Sequence, residues 1–157
     1  MNSKNNKIKN ATTIVFDDIL FKSILERRAY EFLKNKGFDV KYEPKTYVLW
    51  EGFKPTVPFY KRTNSNNTDK RIFELQSVKI QDIKYTPDFY FNYKGIDVFI
   101  EMKGFENDTY YLKEKMFRKY LETTGNSIFF KIKTLKELNQ SLLILEDYAK
   151  RACKNNS

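Results

Sequence analysis

The sequence predicts an α/β or α+β fold in which a mixed central β-sheet is flanked by helices. Helical spacing or helix-capping residues mark three segments, strand-like segments lie between them, and the order along the chain is helix, several strands, helix, strand, helix. The 157 residues have the length of one domain and can bury a core. We expect residues 1–15 to form a flexible basic arm and residues 16–157 to form the domain.

The first helix is predicted between Phe16 and Lys36. Residues at positions i, i+4, i+7 and i+11 of this segment would form one stripe: Leu25, Ala29, Phe32 and the aliphatic part of Lys36. Gly37 is a natural helix terminator. Two short strands are expected next, at 39–42 and 46–50.

The middle of the chain carries weaker signals, followed by clear strands. Residues 51–75 contain Gly, Pro and many polar residues without a core-forming period, and we interpret them as an insertion or a long hairpin. Strand composition returns in three segments, at 71–84, 88–93 and 96–102. The Lys94-Gly95 pair separates the last two segments, which predicts that they form a hairpin.

A helix, a strand and a second helix are predicted for the rest of the chain. Asn107 can cap a helix over 110–122, Gly125 would end it, and 127–133 has the composition of a strand. The closing segment has apolar residues at alternating spacings of three and four, which predicts an amphipathic helix: Leu135, Leu138, Leu142, Leu145, Ala149 and Ala152. We expect this helix to pack on the sheet; a dimer seam is the alternative, because short coiled coils use the same spacing.

The balance of charges indicates an acidic partner. The chain has 29 Lys and Arg residues against 20 Asp and Glu, a formal charge of +9, and nucleic acid is the first candidate for such a chain. A solvated basic surface is the alternative interpretation. The sequence has no apolar run of membrane-spanning length and no signal peptide, and Cys153 is its single cysteine. We therefore expect a soluble intracellular protein without a membrane partner.

The absence of histidine excludes several classes of enzyme. Histidine-dependent nucleases, Ser-His-Asp hydrolases and His-ligated zinc enzymes all require an imidazole, and the sequence contains none. Catalysis would therefore depend on carboxylates, lysines or hydroxyl groups. Three side chains of this kind are expected to meet on the predicted hairpin.

Asp88, Glu101 and Lys103 are these three side chains. In a strand Glu101 and Lys103 point to one face and the apolar residues around them to the other, while Asp88 begins the neighbouring strand. Two adjacent carboxylates repel unless a positive charge lies between them, and Mg²⁺ prefers such hard oxygen ligands. Bound Mg²⁺, or Mn²⁺ in its place, would polarise a phosphodiester and activate water. Lys103 would orient that water or neutralise developing charge.

These residues resemble the signature of the PD-(D/E)XK nuclease superfamily. That signature is an acidic residue after proline, here Asp88 after Pro87, and an acid-x-Lys triplet on the next strand, here Glu101 to Lys103. The closest resemblance is to small phage-encoded members related to endonuclease I and Holliday-junction resolvases, which have Tyr-x-Pro-Asp-Phe and Glu-x-Lys-Gly strands followed by a basic helix.

A second pattern upstream resembles the first helix of the resolvase-like branch, in which a helix glutamate joins the metal site. It consists of Ser23-Ile24-Leu25-Glu26 followed by Ala29, Leu33 and Gly37. The glutamate of that helix corresponds to Glu26. The resemblance covers roughly residues 20–43 and 80–131 and does not extend to 51–75.

The resemblance implies a restriction-endonuclease-like core and a Mg²⁺-dependent endodeoxyribonuclease. It assigns Asp88, Glu101 and Glu26 to the metal and makes Lys103 the fourth catalytic residue. Branched DNA is the expected substrate, and resolution of a junction by two symmetric cuts implies a homodimer. Glu43 is a fallback carboxylate for the same site.

Four basic residues on the helix after the motif are candidates for binding DNA phosphates: Lys113, Lys115, Arg118 and Lys119. A solvated helix face is their alternative interpretation.

The same catalytic site would also suit a restriction, nicking or transposon-end-cleaving endonuclease, and a non-catalytic DNA-binding protein with a vestigial site is a further alternative. An RNase H-like resolvase is the rival fold, but it would not need Lys103. Asp88 as a turn residue and Glu101 with Lys103 as a surface ion pair are the purely structural alternatives.

Overall fold

The computed structural model describes residues 13–64, 71–103 and 107–155, which form an α+β fold with a mixed central sheet. These ranges contain ten strands: β1 (Ile14–Phe16), β2 (Ile19–Phe21), β3 (Lys41–Tyr42), β4 (Tyr47–Trp50), β5 (Tyr60–Asn64), β6 (Arg71–Leu75), β7 (Ile83–Tyr85), β8 (Phe89–Tyr93), β9 (Ile96–Met102) and β10 (Ser127–Ile132). The same ranges contain three helices: α1 (Ile24–Asn35), α2 (Asp108–Thr124) and α3 (Leu135–Asn155). The predicted class, a mixed sheet with helices, is confirmed.

The central sheet has the strand order β10-β9-β8-β3. Strands β8 and β9 pair antiparallel through a two-residue turn in which Lys94 and Gly95 both have positive φ, so the predicted hairpin is confirmed. Strand β10 lies parallel to β9, and a parallel neighbour requires a crossover, which α2 provides. Strand β3 pairs antiparallel with β8.

Strand β9 is buried on both faces and separates two hydrophobic clusters. On one face Val98 and Ile100 pack with residues of α1 and α3. On the opposite face Phe99 packs against Phe117 of α2. The expected apolar face of β9 is therefore confirmed, and the face that carries Glu101 is also covered by a helix.

Helix α3 packs on the same face of the sheet as α1. Its predicted apolar stripe is the side that enters the core, where four members are buried: Leu138, Leu142, Leu145 and Ala149. The prediction that this helix packs on the sheet is confirmed, and its stripe is not a dimer seam. No helix in the described ranges has the length and apolarity needed to cross a membrane.

The prediction of one helix over 16–36 is wrong at its N-terminal end. Residues 14–21 form the hairpin β1–β2, and its turn residues Asp17 and Asp18 have left-handed φ angles of 55° and 59°. Aspartate tolerates this conformation better than most residues, and it suits a two-residue hairpin. The helix begins only after Ser23, whose side chain caps its first turn.

Other segments also differ from the sequence interpretation. Of the expected arm, residues 1–12 lie outside the described residues, whereas Ile14 and Val15 belong to β1. The expected strand over 71–84 is interrupted, because β6 pairs with β5 and β7 pairs with β4 in a different sheet. Within 51–75, β5 and β6 form an antiparallel hairpin that contributes no described residue to either hydrophobic cluster.

Replacing Leu138 with Ala should lower the free energy of unfolding by about 2–5 kcal/mol, because this side chain is fully buried between α3 and the sheet. The matched control is Leu143→Ala on the same helix, where the side chain is 60% exposed and the expected change is below about 0.5 kcal/mol. Urea unfolding followed by circular dichroism measures both values. Equal losses in the two variants would contradict this packing of α3.

Candidate active site

A cavity of about 570 Å³ lies at the end of the β8–β9 hairpin that is opposite to its turn. Its lining includes all four residues that the sequence assigns to catalysis: Glu26, Asp88, Glu101 and Lys103. Glu26 comes from the first turn of α1, and the other three come from the ends of β8 and β9. The fallback carboxylate, Glu43, lines the same cavity.

Asp88 is held by the backbone of the neighbouring strand. The preceding Pro87 is fully buried, and Asp88 stands one residue before β8. Its Oδ2 atom accepts a hydrogen bond of 2.7 Å from the backbone N–H of Met102. Its backbone carbonyl accepts another, of 2.8 Å, from the N–H of Glu43. The carboxylate therefore has one oxygen fixed by the hairpin itself.

Glu101 is the one charged side chain buried within the described ranges, with 5% of its surface exposed. Its Oε2 atom accepts a hydrogen bond of 2.7 Å from the hydroxyl of Tyr85. Its Oε1 atom lies 3.5 Å from Nζ of Lys103. That ammonium group lies over the ring of Tyr110, 4.2 Å from its centroid. Glu101 and Lys103 thus form a partly buried pair beside Asp88, and not a surface ion pair.

The carboxyl groups of the cavity destabilise one another. Burial raises the pKa of Asp88, the charge of Glu101 raises it further, and the hydrogen bond from Met102 opposes both effects. Burial also raises the pKa of Glu101, against the opposing effects of the Tyr85 hydroxyl and the Lys103 charge. The charge of Glu26 raises the pKa of both groups. A further positive charge in the cavity would relieve this repulsion.

Glu26 has a structural role in addition to its place in the cavity. Its Oε1 atom accepts a hydrogen bond of 2.8 Å from the Ser23 hydroxyl. Its Oε2 atom accepts from the hydroxyl of Tyr42 at 2.6 Å and from the backbone N–H of Lys22 at 3.2 Å. These contacts fix the first turn of α1 as a capping box does. The carboxylate of Glu26 therefore accepts more hydrogen bonds from described residues than the carboxylate of Asp88 or of Glu101 does.

The lysines that line the cavity differ in their partners. Nζ of Lys22 pairs with Glu43, and Nζ of Lys84 lies 3.1 Å from Asp82. Lys113, near the start of α2, lines the cavity and forms no ion pair with a described residue. Of the four predicted DNA-binding residues it alone reaches the cavity; the other three are exposed further along α2, at Lys115, Arg118 and Lys119.

The sequence predicts that Tyr85 flanks the cleft or packs in the core, but it does not predict the hydrogen bonds by which Tyr42 and Tyr85 hold the carboxylates. Tyr42 donates to Glu26 and Tyr85 donates to Glu101, and each contact joins residues 16 positions apart. No local pattern marks such a pair, because the contact exists only once the strands and the helix have assembled. The position of Tyr85, three residues before Asp88, is the one feature in the sequence that placed it near the site.

The residues present fit a hard divalent cation. Asp88 and Glu101 both line the cavity and interact through their charges, and Mg²⁺ is commonly held by one or two carboxylates. Within the described ranges no group of three or more Asp, Glu, Cys or His side chains is arranged as a ready-made metal site. Comparisons of the chain with protein-family models, curated proteins and solved structures give no match.

Replacing Asp88 with Asn or Glu101 with Gln should stabilise the protein at pH 7, because folding raises the pKa of both carboxyl groups and ionisation of either one therefore opposes folding. A raised carboxyl pKa means that stability is greatest below the ordinary pKa of the group and falls as the pH rises through the raised value. The gain should therefore vanish near pH 3, about one unit below the ordinary carboxyl pKa of about 4, where the wild-type carboxyls are largely protonated in both states.

Denaturant unfolding at pH 3 and pH 7 measures this difference. Glu146→Gln on the exposed side of α3 is the matched control, and its effect should stay within about 0.5 kcal/mol at both pH values. A loss of stability at pH 7 in both Asp88→Asn and Glu101→Gln would contradict the repulsion between these groups.

Proposed function

We propose that this chain is a metal-dependent endonuclease that hydrolyses DNA phosphodiester bonds, with branched DNA as its substrate. The observation that carries the proposal is the burial of Glu101 beside Asp88 and Lys103 at one end of the hairpin. Carboxylates are rarely buried unless they are paired, and carboxyl groups with perturbed pKa values cluster at functional sites. The arrangement requires no histidine, in agreement with the composition.

Asp88 and Glu101 would hold Mg²⁺ or Mn²⁺, with Glu26 nearby as the third carboxylate. The bound ion would supply Lewis-acid polarisation of the phosphate and a water of lowered pKa. The protein's own contribution is to orient these groups: the Met102 N–H fixes Asp88, and the Tyr85 hydroxyl fixes Glu101. Both carboxylates are thus oriented before a substrate enters.

Lys103 would act on the substrate side of the same site. Its ammonium group lies between the Oε1 atom of Glu101 and the ring of Tyr110, so its position is restricted. From there it would orient the attacking water or balance the negative charge that develops on the phosphate. Its side chain is 28% exposed, which leaves it accessible from the cavity.

Lys113 would bind a phosphate at or next to the cleaved bond, because it lines the cavity without an ionic partner among the described residues. The more distant basic residues of α2 would extend this contact along the backbone: Lys115, Arg118 and Lys119. Binding of this kind does not depend on base sequence, which suits an enzyme that selects DNA by its shape. The preference for a branched substrate, and the homodimer it implies, rest on the resemblance to junction resolvases.

Asp88→Asn, Glu101→Gln and Lys103→Met should each lower the rate of DNA cleavage by at least ~100-fold, because each removes a group from the reacting centre. The assay uses a labelled four-way junction and a linear duplex of matched sequence, with Mg²⁺, with Mn²⁺ and with EDTA. The control variants are Glu146→Gln and Lys150→Met, which change exposed residues of α3 and should cleave at the wild-type rate.

Faster cleavage of the junction than of the duplex would support the proposed substrate. Equal cleavage of both would retain the nuclease and assign it to the restriction or nicking type. Intact substrates in both metals, with DNA binding preserved, would overturn the catalytic proposal in favour of a DNA-binding protein.

Lys113→Ala should weaken DNA binding and reduce the slope of log K against log[salt] by about 1, as expected when one phosphate contact is lost. Lys150→Ala is the matched control, since Lys150 is exposed on α3, which packs on the opposite face of the sheet. Fluorescence anisotropy in EDTA, at several salt concentrations, gives both slopes. A slope for Lys113→Ala equal to that of the control would contradict a phosphate contact in the cavity.

A further inference from the structure

Tyr85 lines the cavity but is not one of the four residues assigned to catalysis. It ends strand β7, is 6% exposed, and packs its ring against Phe117 of α2 at a centroid distance of 4.6 Å. Pairing with Tyr47 of β4 fixes its backbone. Since ring and backbone are both held, the direction of the hydroxyl is fixed as well, and it points at the Oε2 atom of Glu101, 2.7 Å away.

Because of this hydrogen bond, the two carboxylate oxygens of Glu101 have different partners. Oε2 accepts a hydrogen bond from Tyr85, while the one contact of Oε1 with a described residue is the longer one of 3.5 Å with Lys103. Asp88 shows the same division, because its Oδ2 atom is engaged by the Met102 N–H at 2.7 Å. Each of the two cavity-lining carboxylates therefore has one oxygen held by a short hydrogen bond and one that is not held in this way by a described residue.

The number of oxygens offered by each carboxylate affects which cation fits. Mg²⁺ requires six ligands in near-octahedral geometry and is bound through single oxygens, whereas Ca²⁺ takes 6–8 ligands and readily uses both oxygens of one carboxylate. A neighbour that keeps one oxygen occupied opposes two-oxygen binding. Residues that orient a ligand in this way typically contribute a factor of about 10–100 to metal affinity.

We propose that Tyr85 is a positioning residue that restricts Glu101 to binding a metal through Oε1, and so makes the cavity select Mg²⁺ and Mn²⁺ over Ca²⁺. This inference rests on the proposed function, because it concerns the same metal site. It adds a residue that acts through the orientation of Glu101.

The test compares Tyr85→Phe with Tyr90→Phe, a matched loss of one hydroxyl. Tyr90 is half-buried on β8 and donates to Asp97 at 2.8 Å, but it does not line the cavity. Mn²⁺ affinity is measured without DNA from the paramagnetic resonance signal of the free ion, and Ca²⁺ affinity by competition. Tyr85→Phe should weaken Mn²⁺ binding roughly 10-fold or more and reduce the preference for Mn²⁺ over Ca²⁺. Tyr90→Phe should leave both quantities within about twofold of wild type.

Infrared difference spectra of the wild-type protein provide a second measurement that needs no variant. One-oxygen binding widens the separation of the antisymmetric and symmetric carboxylate stretches, and we expect this widening on addition of Mg²⁺. A narrowed separation, typical of two-oxygen binding, would overturn the inference.

The outcomes separate this inference from the proposed function. If the wild type binds Mn²⁺ and cleaves DNA but Tyr85→Phe matches Tyr90→Phe in both quantities, the role of Tyr85 is wrong and the nuclease stands. If Tyr85→Phe loses affinity and selectivity but the wild type cleaves no DNA, the positioning role stands and the nuclease is wrong. If the wild type binds no Mn²⁺, both are overturned.

Discussion

The antiparallel register of β8 and β9 is the constraint on which both the core and the site depend. It pairs Phe89 with Ile100 and thereby places Asp88, one residue earlier, next to the end of β9. A slip by one residue would move every side chain to the other face of the sheet. The same slip would bring Glu101 to the face of α1 and α3. The turn at Lys94 and Gly95 fixes the register, so a short local signal determines a long-range arrangement.

Burial of Glu101 beside Asp88 opposes folding, and the surrounding structure compensates for it only in part. The hydroxyl of Tyr85, the N–H of Met102 and the ammonium of Lys103 each stabilise an ionised carboxylate, yet both carboxyl pKa values remain raised. Burial of the two hydrophobic clusters on the faces of β9 offsets this unfavourable contribution to the free energy of folding. Such local destabilisation within a well-packed fold is typical of sites maintained for chemistry.

The elements that can be predicted from the sequence are those marked by residues close together in the chain. The hairpin at Lys94-Gly95, the helix capped by Asn107 and the apolar stripe of α3 each follow from neighbouring residues, and all three are present. The helix predicted over 16–36 was wrong because Asp17 and Asp18 adopt left-handed angles that a spacing pattern does not reveal. The convergence of Asp88, Glu101 and Lys103 was predictable from strand periodicity. Hydrogen bonds that cross between elements, such as those of Tyr42 and Tyr85, were not.

Helix α2 links the topology of the sheet to the electrostatics of the cavity. Parallel pairing of β9 and β10 requires a crossover, and the crossover helix begins close to where β9 ends. Its N-terminal end therefore borders the cavity, through Asn107, Thr109 and Tyr110, so the positive end of its dipole lies at the cavity wall. Lys113 adds a full charge one turn later. Because Phe117 anchors the same helix in the core, packing sets the position of these positive groups.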